Sequence, residues 1–297
     1  SSSCSSSGGG QAVKAAVEIS EEEAAVFDAQ AETASTGHPQ PPVTEGAPAG
    51  PERRPDAQPT EDTAPIVADA PKAEEEPKEE NEFKFYSKFV HNATAITSEL
   101  TEAVTYFRKL VSHEYNAEKN IDLVLSSKLV PRFVDILTLK GLSAAEAGAD
   151  GESTRLQYQT SWFLSNIASG NHSQTQEIIN GGAVEAFLQL LHKPETPLNV
   201  AGQIIWAFGN IAGDSVADRD ILLKQGAVAA IVQASTIEGF YSSDRDQLRN
   251  CAWACANLCR GKPAPKINLV GDIVPVLKSM LAVNDDETVA DAAYGLS

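Results

Sequence analysis

Residues 204–214 read IIWAFGNIAGD, and close variants of that word stand twice more, as TSWFLSNIASG at 160–170 and CAWACANLCRG at 251–261. Each holds Trp-x-x-x-Asn (Trp162/Asn166, Trp206/Asn210, Trp253/Asn257), and the tryptophans are 44 and 47 residues apart. A second word recurs in phase: GGAVEAFLQLL from Gly181, QGAVAAIVQAS from Gln225 and GDIVPVLKSML from Gly271. LVPRFVDIL from Leu129 is an earlier copy, set off by a Gly/Ala-rich stretch near 140–153. A last copy begins at Asp291-Ala-Ala-Tyr294 and breaks off at Ser297, so the chain reads as a fragment truncated at its C-terminus.

Around these words apolar residues recur at three- and four-residue spacing, as in Leu100, Val104, Phe107, Leu110 and Val111, which is the pattern of amphipathic helices. Pro131 and Pro275 stand where a helix begins, a position that tolerates the missing N–H. Alternating strand patterns are absent. An all-α chain with a period of forty to forty-seven residues has the armadillo/HEAT signature. One unit cannot bury its apolar face alone, so neighbours stack into a right-handed superhelical solenoid with a long concave groove. We expect about four such repeats over 83–297.

Residues 1–80 differ. They hold ten of the sixteen prolines, 17 acids against 5 bases, and a single aromatic residue, Phe27. High charge with little apolar surface cannot offset the chain entropy lost on folding, so 1–82 is expected to be a disordered acidic leader. The whole chain carries a formal charge of −18 over 297 residues. Such a field disfavours nucleic acid and anionic lipid and favours a basic partner. No apolar run approaches the ~20 residues of a membrane helix, and Ser1–Gly10 has no secretory-signal pattern.

Trp and Asn four apart share one helical face. The residues that would fill the core (Phe163, Ile167, Ile205, Ile211, Cys251, Cys255, Leu258) lie on other faces. Burying the Asn amide three times without evident partners would be unfavourable, so the repeated Trp/Asn face reads as an exposed binding ladder. Parallel indoles form slots for the aliphatic stems of Lys and Arg, with cation–π attraction of about 0.5–2 kcal/mol each. Each Asn amide can both donate and accept, so it can hold a peptide backbone without reading side chains. The expected ligand is a short, extended, basic peptide.

These residues resemble the importin-α family, adaptors for nuclear localisation signals. NIASGNHSQT, WAFGNIAGDS with Arg219-Asp220, and RNCAWACANLCRGKPAP carry the likeness, which extends over roughly 97–297. The resemblance implies that Trp162, Trp206 and Trp253 are the indoles of the major signal-binding site and Asn166, Asn210 and Asn257 its backbone clamps. It implies a lysine subsite made by the Gly170 carbonyl, the Thr175 hydroxyl and the Asp214 carboxylate. Gln203 would contact a later basic residue, Asp291 would be an acidic groove position, and Arg260 would limit how far the basic stretch extends. Shuttling between cytoplasm and nucleus is part of the same expectation. The family opens with a basic segment that binds importin-β, whereas 1–80 is acidic with one basic pair, Arg53-Arg54, which counts against importin-β binding there. Tyr294 stands where the family has Trp, and Thr105 and Lys109 occupy the ladder positions of the first repeat. An armadillo scaffold for another basic partner is the alternative.

Cys251, Cys255 and Cys259 step along one helix as small core residues rather than as a zinc site. The five histidines show no ligand spacing, and GDS at 213–215 reads as the start of a loop that includes Asp218. No catalytic or nucleotide motif is present, so neither enzyme, cofactor nor metal is expected.

Overall fold

The computed structural model describes residues 78–112, 116–142, 151–242 and 244–297. The expected disorder of 1–77 and most of the 140–153 stretch lie outside these residues. The first helix, α1, spans Lys78–His91 and so begins a few residues before the expected boundary at 82. It is followed by α2 (Thr97–Val111), α3 (Ala117–Ser126), α4 (Val130–Leu137) and α5 (Glu152–Ala168). Next come α6 (His172–Asn180), α7 (Ala183–Leu191), α8 (Leu198–Asp214), α9 (Val216–Gln225) and α10 (Ala227–Ala234). The last are α11 (Arg245–Cys259), α12 (Ile267–Val270), α13 (Val274–Met280) and α14 (Asp286–Leu296). There is no strand among the described residues.

The repeat unit is two short helices and one long one. At the corner between the short helices the chain must turn within a residue, and Gly182 (φ 84°) and Gly226 (φ 92°) take the left-handed conformation that a side chain resists. The recurring Gly-Ala-Val word is therefore the corner plus the first turn of the second short helix. Pro131 and Pro275 lie in the first turns of α4 and α13, as expected.

The long helices α2, α5, α8, α11 and α14 pack side by side in sequence order. Gly202 of α8 lies against Gln247 of α11, and seven residues on, Gly209 lies against Trp253 and Ala254, so the two helices run parallel with a fixed register. Behind them the apolar residues close a continuous core: Phe107, Phe133 and Phe163 meet at 5.4 and 4.2 Å between successive ring centroids. Phe163, Ile167, Ile205, Ile211, Cys251, Cys255 and Leu258 are all buried, as their helical position demands. Burial pushes the Cys251 thiol up to about 12, which makes it an inert core residue.

Two charged residues of α9, Asp218 and Arg219, are buried beside this core. Arg219 of α9 is 1% exposed. Its Nη1 donates to the carbonyls of Arg260 (2.6 Å) and Pro263 (3.1 Å), beyond the end of α11, while Nε and Nη2 hold Asp220 Oδ1 at 3.0 and 2.7 Å. Replacing it with an apolar side chain of similar length strands two carbonyls and an acid. Arg219→Met should lower stability by about 2–4 kcal/mol, read as a lower urea midpoint by circular dichroism.

Candidate functional site

The three repeated words place their tryptophans on α5, α8 and α11, one on each of three neighbouring parallel helices. Trp162, Trp206 and Trp253 are each half-buried, with one part of the indole against the protein and another in solvent. The asparagines behave differently from the sequence expectation. Asn166 is half-buried and its Nδ2 donates to Ser112 Oγ at 2.6 Å. Asn210 is 6% and Asn257 1% exposed. They are buried without a desolvation penalty on Nδ2, because each finds a partner the sequence did not reveal. Asn210 donates to the Ser165 carbonyl of α5 at 3.1 Å, and Asn257 to the Gly209 carbonyl of α8 at 2.9 Å. The amide oxygen of Asn257 is buried and has no hydrogen-bond partner.

Each bond reaches from the Asn of one helix to the residue just before the equivalent Asn of the preceding helix. That common offset sets the three Trp/Asn pairs in register as two parallel rows. The packing is tight. A Cβ on Gly209 would come within 2.4 Å of Cζ3 of Trp253, so the indole lies directly on the α8 backbone.

The rows end in charged groups. Asp214 is the last residue of α8, and its carboxylate meets His172 Nδ1, the first residue of α6, at 2.5 Å. Through this contact Asp214 joins the 170–175 segment that the sequence pairs with it. Gly170 is half-buried, and Thr175 is fully buried with its hydroxyl directed to the carbonyls of Ala168 (3.2 Å) and Asn171 (3.3 Å). Gly170 has no room for a side chain, because the capping Gln174 folds back over it to accept from the Asn171 N–H.

GDS at 213–215 is not the start of a loop. Ser215 alone separates α8 from α9 and caps the latter, accepting from the Asp218 N–H at 3.1 Å. Asp218 is therefore a buried helical residue, held by Gln176 Nε2 at 2.7 Å and Ser215 Oγ at 2.6 Å. The Ser-x-x-Asp spacing was the available signal for that cap.

The electrostatics follow from these contacts. The hydrogen bond to the Asp214 carboxylate pushes the His172 imidazole above its ordinary value. Burial, aided by Asp218, raises the Asp214 carboxyl, against the pull of His172. Burial likewise raises Asp291, with Arg260 opposing it. Arg260 is exposed and its guanidinium stands 5.4 Å from the Tyr294 ring centroid. Gln203 is half-buried and its Oε1 has no partner. Besides His172, the sequence did not single out Arg108 of α2, whose guanidinium stacks 4.0 Å from the Trp162 ring centroid. Its position one residue before Lys109, the expected first ladder position, was the only available hint.

The likeness of sequence is substantial. Importin subunit alpha-2 of Arabidopsis thaliana is 37% identical over 196 residues, which cover 66% of this chain and 33% of that protein. Over those residues the helical part of this chain is similar to importin-α subunits. Importin subunit alpha-1b of Oryza sativa subsp. japonica is 35% identical over the same shares of the two chains. No family model matches, and the chain spans about a third of the length of these curated relatives. Among solved structures, a computationally designed armadillo repeat protein for modular peptide recognition superposes with a TM-score of 0.55 at 19% identity, over 71% of this chain and 79% of that one. It confirms the armadillo fold. No helix among the described residues is long and apolar enough to cross a membrane.

The fit of Trp253 on Gly209 yields a test of the register. Alanine in place of a helical glycine favours the helix by about 1 kcal/mol, but overpacking costs about 1–3. Gly209→Ala should therefore leave the protein about 1 kcal/mol less stable, with a shifted tryptophan emission as the Trp253 indole is displaced.

Proposed function

We propose that this chain is the signal-binding part of a nuclear import adaptor, taking extended Lys/Arg-rich nuclear localisation signals along the Trp/Asn rows. The observation that carries the reading is the half-burial of Trp162, Trp206 and Trp253, in register on adjacent parallel helices, while the other apolar residues of the repeated words, the half-buried Cys259 apart, are buried. An indole face left open at each repeat is a platform for methylenes and a cation. Arg108 on Trp162 is such a pairing made within the chain, at 4.0 Å. The similarity of the matched segment to importin-α subunits supports the same reading.

In this reading Asp214 receives the ammonium of one demanded lysine, with the Gly170 carbonyl beside it and Thr175 fixing the segment from beneath. Gln203, Asp291 and Arg260 flank the later positions, Arg260 repelling further positive charge. Of the asparagine amides, that of the half-buried Asn166 is the one open to backbone groups of the peptide, while the buried Asn210 and Asn257 hold the rows in register. The protein would shuttle between cytoplasm and nucleus and perform no catalysis. Importin-β is left outside the proposal, since the leader lacks the basic character its binding calls for.

Because Asn210 helps hold α8 to α5, a test of the indoles is best made without touching it. Trp206→Ala should weaken a fluorescent lysine-rich peptide at least tenfold in anisotropy titrations while leaving the helical circular dichroism unchanged. Asp214→Lys should weaken it by two orders of magnitude or more, about 2.7 kcal/mol. The exposed Glu238→Lys, with the same change in charge, should have a small effect. Asp218 cannot serve as that control, since it is buried and hydrogen-bonded. Equal losses in the two charge reversals would overturn a specific lysine subsite in favour of a general field.

The acidic leader provides a separate check. Deleting residues 1–77 should not raise the affinity of the same peptide, because a segment of that charge has no means of competing for an acid-lined groove. A several-fold gain would show that some part of the leader, Arg53-Arg54 first among candidates, occupies the site.

A further inference from the structure

Asp214 already has a cationic partner. His172 opens α6, and its Nδ1 lies 2.5 Å from Asp214 Oδ2 and 3.7 Å from Asp218 Oδ2. The imidazole is 64% exposed, so it is free to swing away, whereas Asp214 is held at the end of its helix with only 17% of its side chain exposed. Its other surroundings are also known. From α3, Glu118 and Asp122 engage Asn171 and Gln174 rather than the ring. On α6 itself the nearest acid, Glu177, is exposed and five residues along. The charges that face His172 are therefore Asp214 and Asp218.

Three such side chains could suggest a divalent cation, and their donor atoms lie within 4.8 Å of one another. The distances argue against it. Donors at 2.0–2.2 Å from one tetrahedral ion stand about 3.3 Å apart, whereas His172 and Asp214 are in direct hydrogen-bonding contact at 2.5 Å, closer than two ligands of one ion. Both Asp218 oxygens are moreover engaged by Gln176 and Ser215.

We propose that His172 competes, when protonated, with the ligand's lysine for Asp214, so that signal binding expels a proton and strengthens as pH rises. The inference rests on the reading of the groove as a receptor for basic peptides. In the free protein Asp214 raises the proton affinity of His172, so the imidazolium–carboxylate pair persists to a pH above the ordinary histidine range. A bound ammonium takes the carboxylate and repels the imidazolium, which returns the group to its ordinary value or below. The complex thus holds fewer protons than the free protein. By linkage its affinity grows through the interval between the two values, up to tenfold for each unit that separates them. Above that interval the neutral ring can still donate one hydrogen bond but carries no charge to oppose the lysine.

The test compares the full chain with His172→Ala, a change at an exposed position, using a fluorescent peptide of five lysines flanked by glycines at constant ionic strength. Between pH 8 and pH 6 the unaltered chain should lose about five- to tenfold in affinity, while His172→Ala should change less than twofold and bind more tightly than the unaltered chain at pH 6. A second measurement needs no peptide. The imidazole proton resonances of His172 should titrate above pH 6.5 and move to lower pH in Asp214→Asn. On adding the lysine peptide, the unaltered chain should show the same move. Equal pH dependence in the two proteins, or a His172 titration indifferent to Asp214 or to the peptide, overturns the competition while leaving peptide binding intact. Absence of peptide binding by both proteins at every pH overturns the receptor reading and the competition with it.

Discussion

A side-chain amide that donates to a carbonyl in the middle of a neighbouring helix is the bond on which this architecture depends. The carbonyls of Ser165 and Gly209 lie within helices, where the first lone pair serves the helix itself and the second is free to accept. Asn210 and Asn257 use that second lone pair, at 3.1 and 2.9 Å, and they do so at matching offsets. Apolar packing alone permits neighbouring helices to slide, because ridges fit grooves at more than one setting. A hydrogen bond to one particular carbonyl removes that freedom. The rows of indoles one turn earlier inherit their alignment from it.

The Trp rows and the acids at their ends are already partnered within the chain. Arg108 covers part of Trp162, His172 holds Asp214, and Arg260 stands over Tyr294. Each contact pairs a cation-capable side chain of the protein with an aromatic or acidic group that would suit a ligand. Such pairs keep partly desolvated groups satisfied when nothing is bound. On the proposed function, affinity for a basic peptide would be a difference between two sets of contacts rather than a sum of new ones.

The repeat was legible because its period, the Trp-x-x-x-Asn words and the Gly-Ala-Val corners are all encoded locally. The core positions followed from the same helical period, and Phe163, Ile205 and Cys255 lie buried where it puts them. The asparagines show where such reasoning stops. Their helical face was correct, but whether that face meets water or a neighbouring backbone depends on how closely two helices approach, which is set by Gly209 forty-eight residues from Asn257. His172 and Arg108 were missed for a related reason. Each acts on a residue more than forty positions away, and nothing in the spacing of either names its partner. Asp218 was misread at short range, where Ser215 and the acid three residues later already spelled a helix cap.

Arg219 has a mechanical consequence. Its guanidinium ties α9 to the chain beyond α11 through hydrogen bonds of 2.6 and 3.1 Å, and such bonds weaken steeply when bent or stretched by a few tenths of an ångström. The junction around Phe107, Phe133 and Phe163 is held by ring contacts, which tolerate small rotations at little cost in energy. The two junctions thus differ in compliance: a small rotation costs less at the aromatic contacts than where Arg219 clamps α9 to the chain beyond α11.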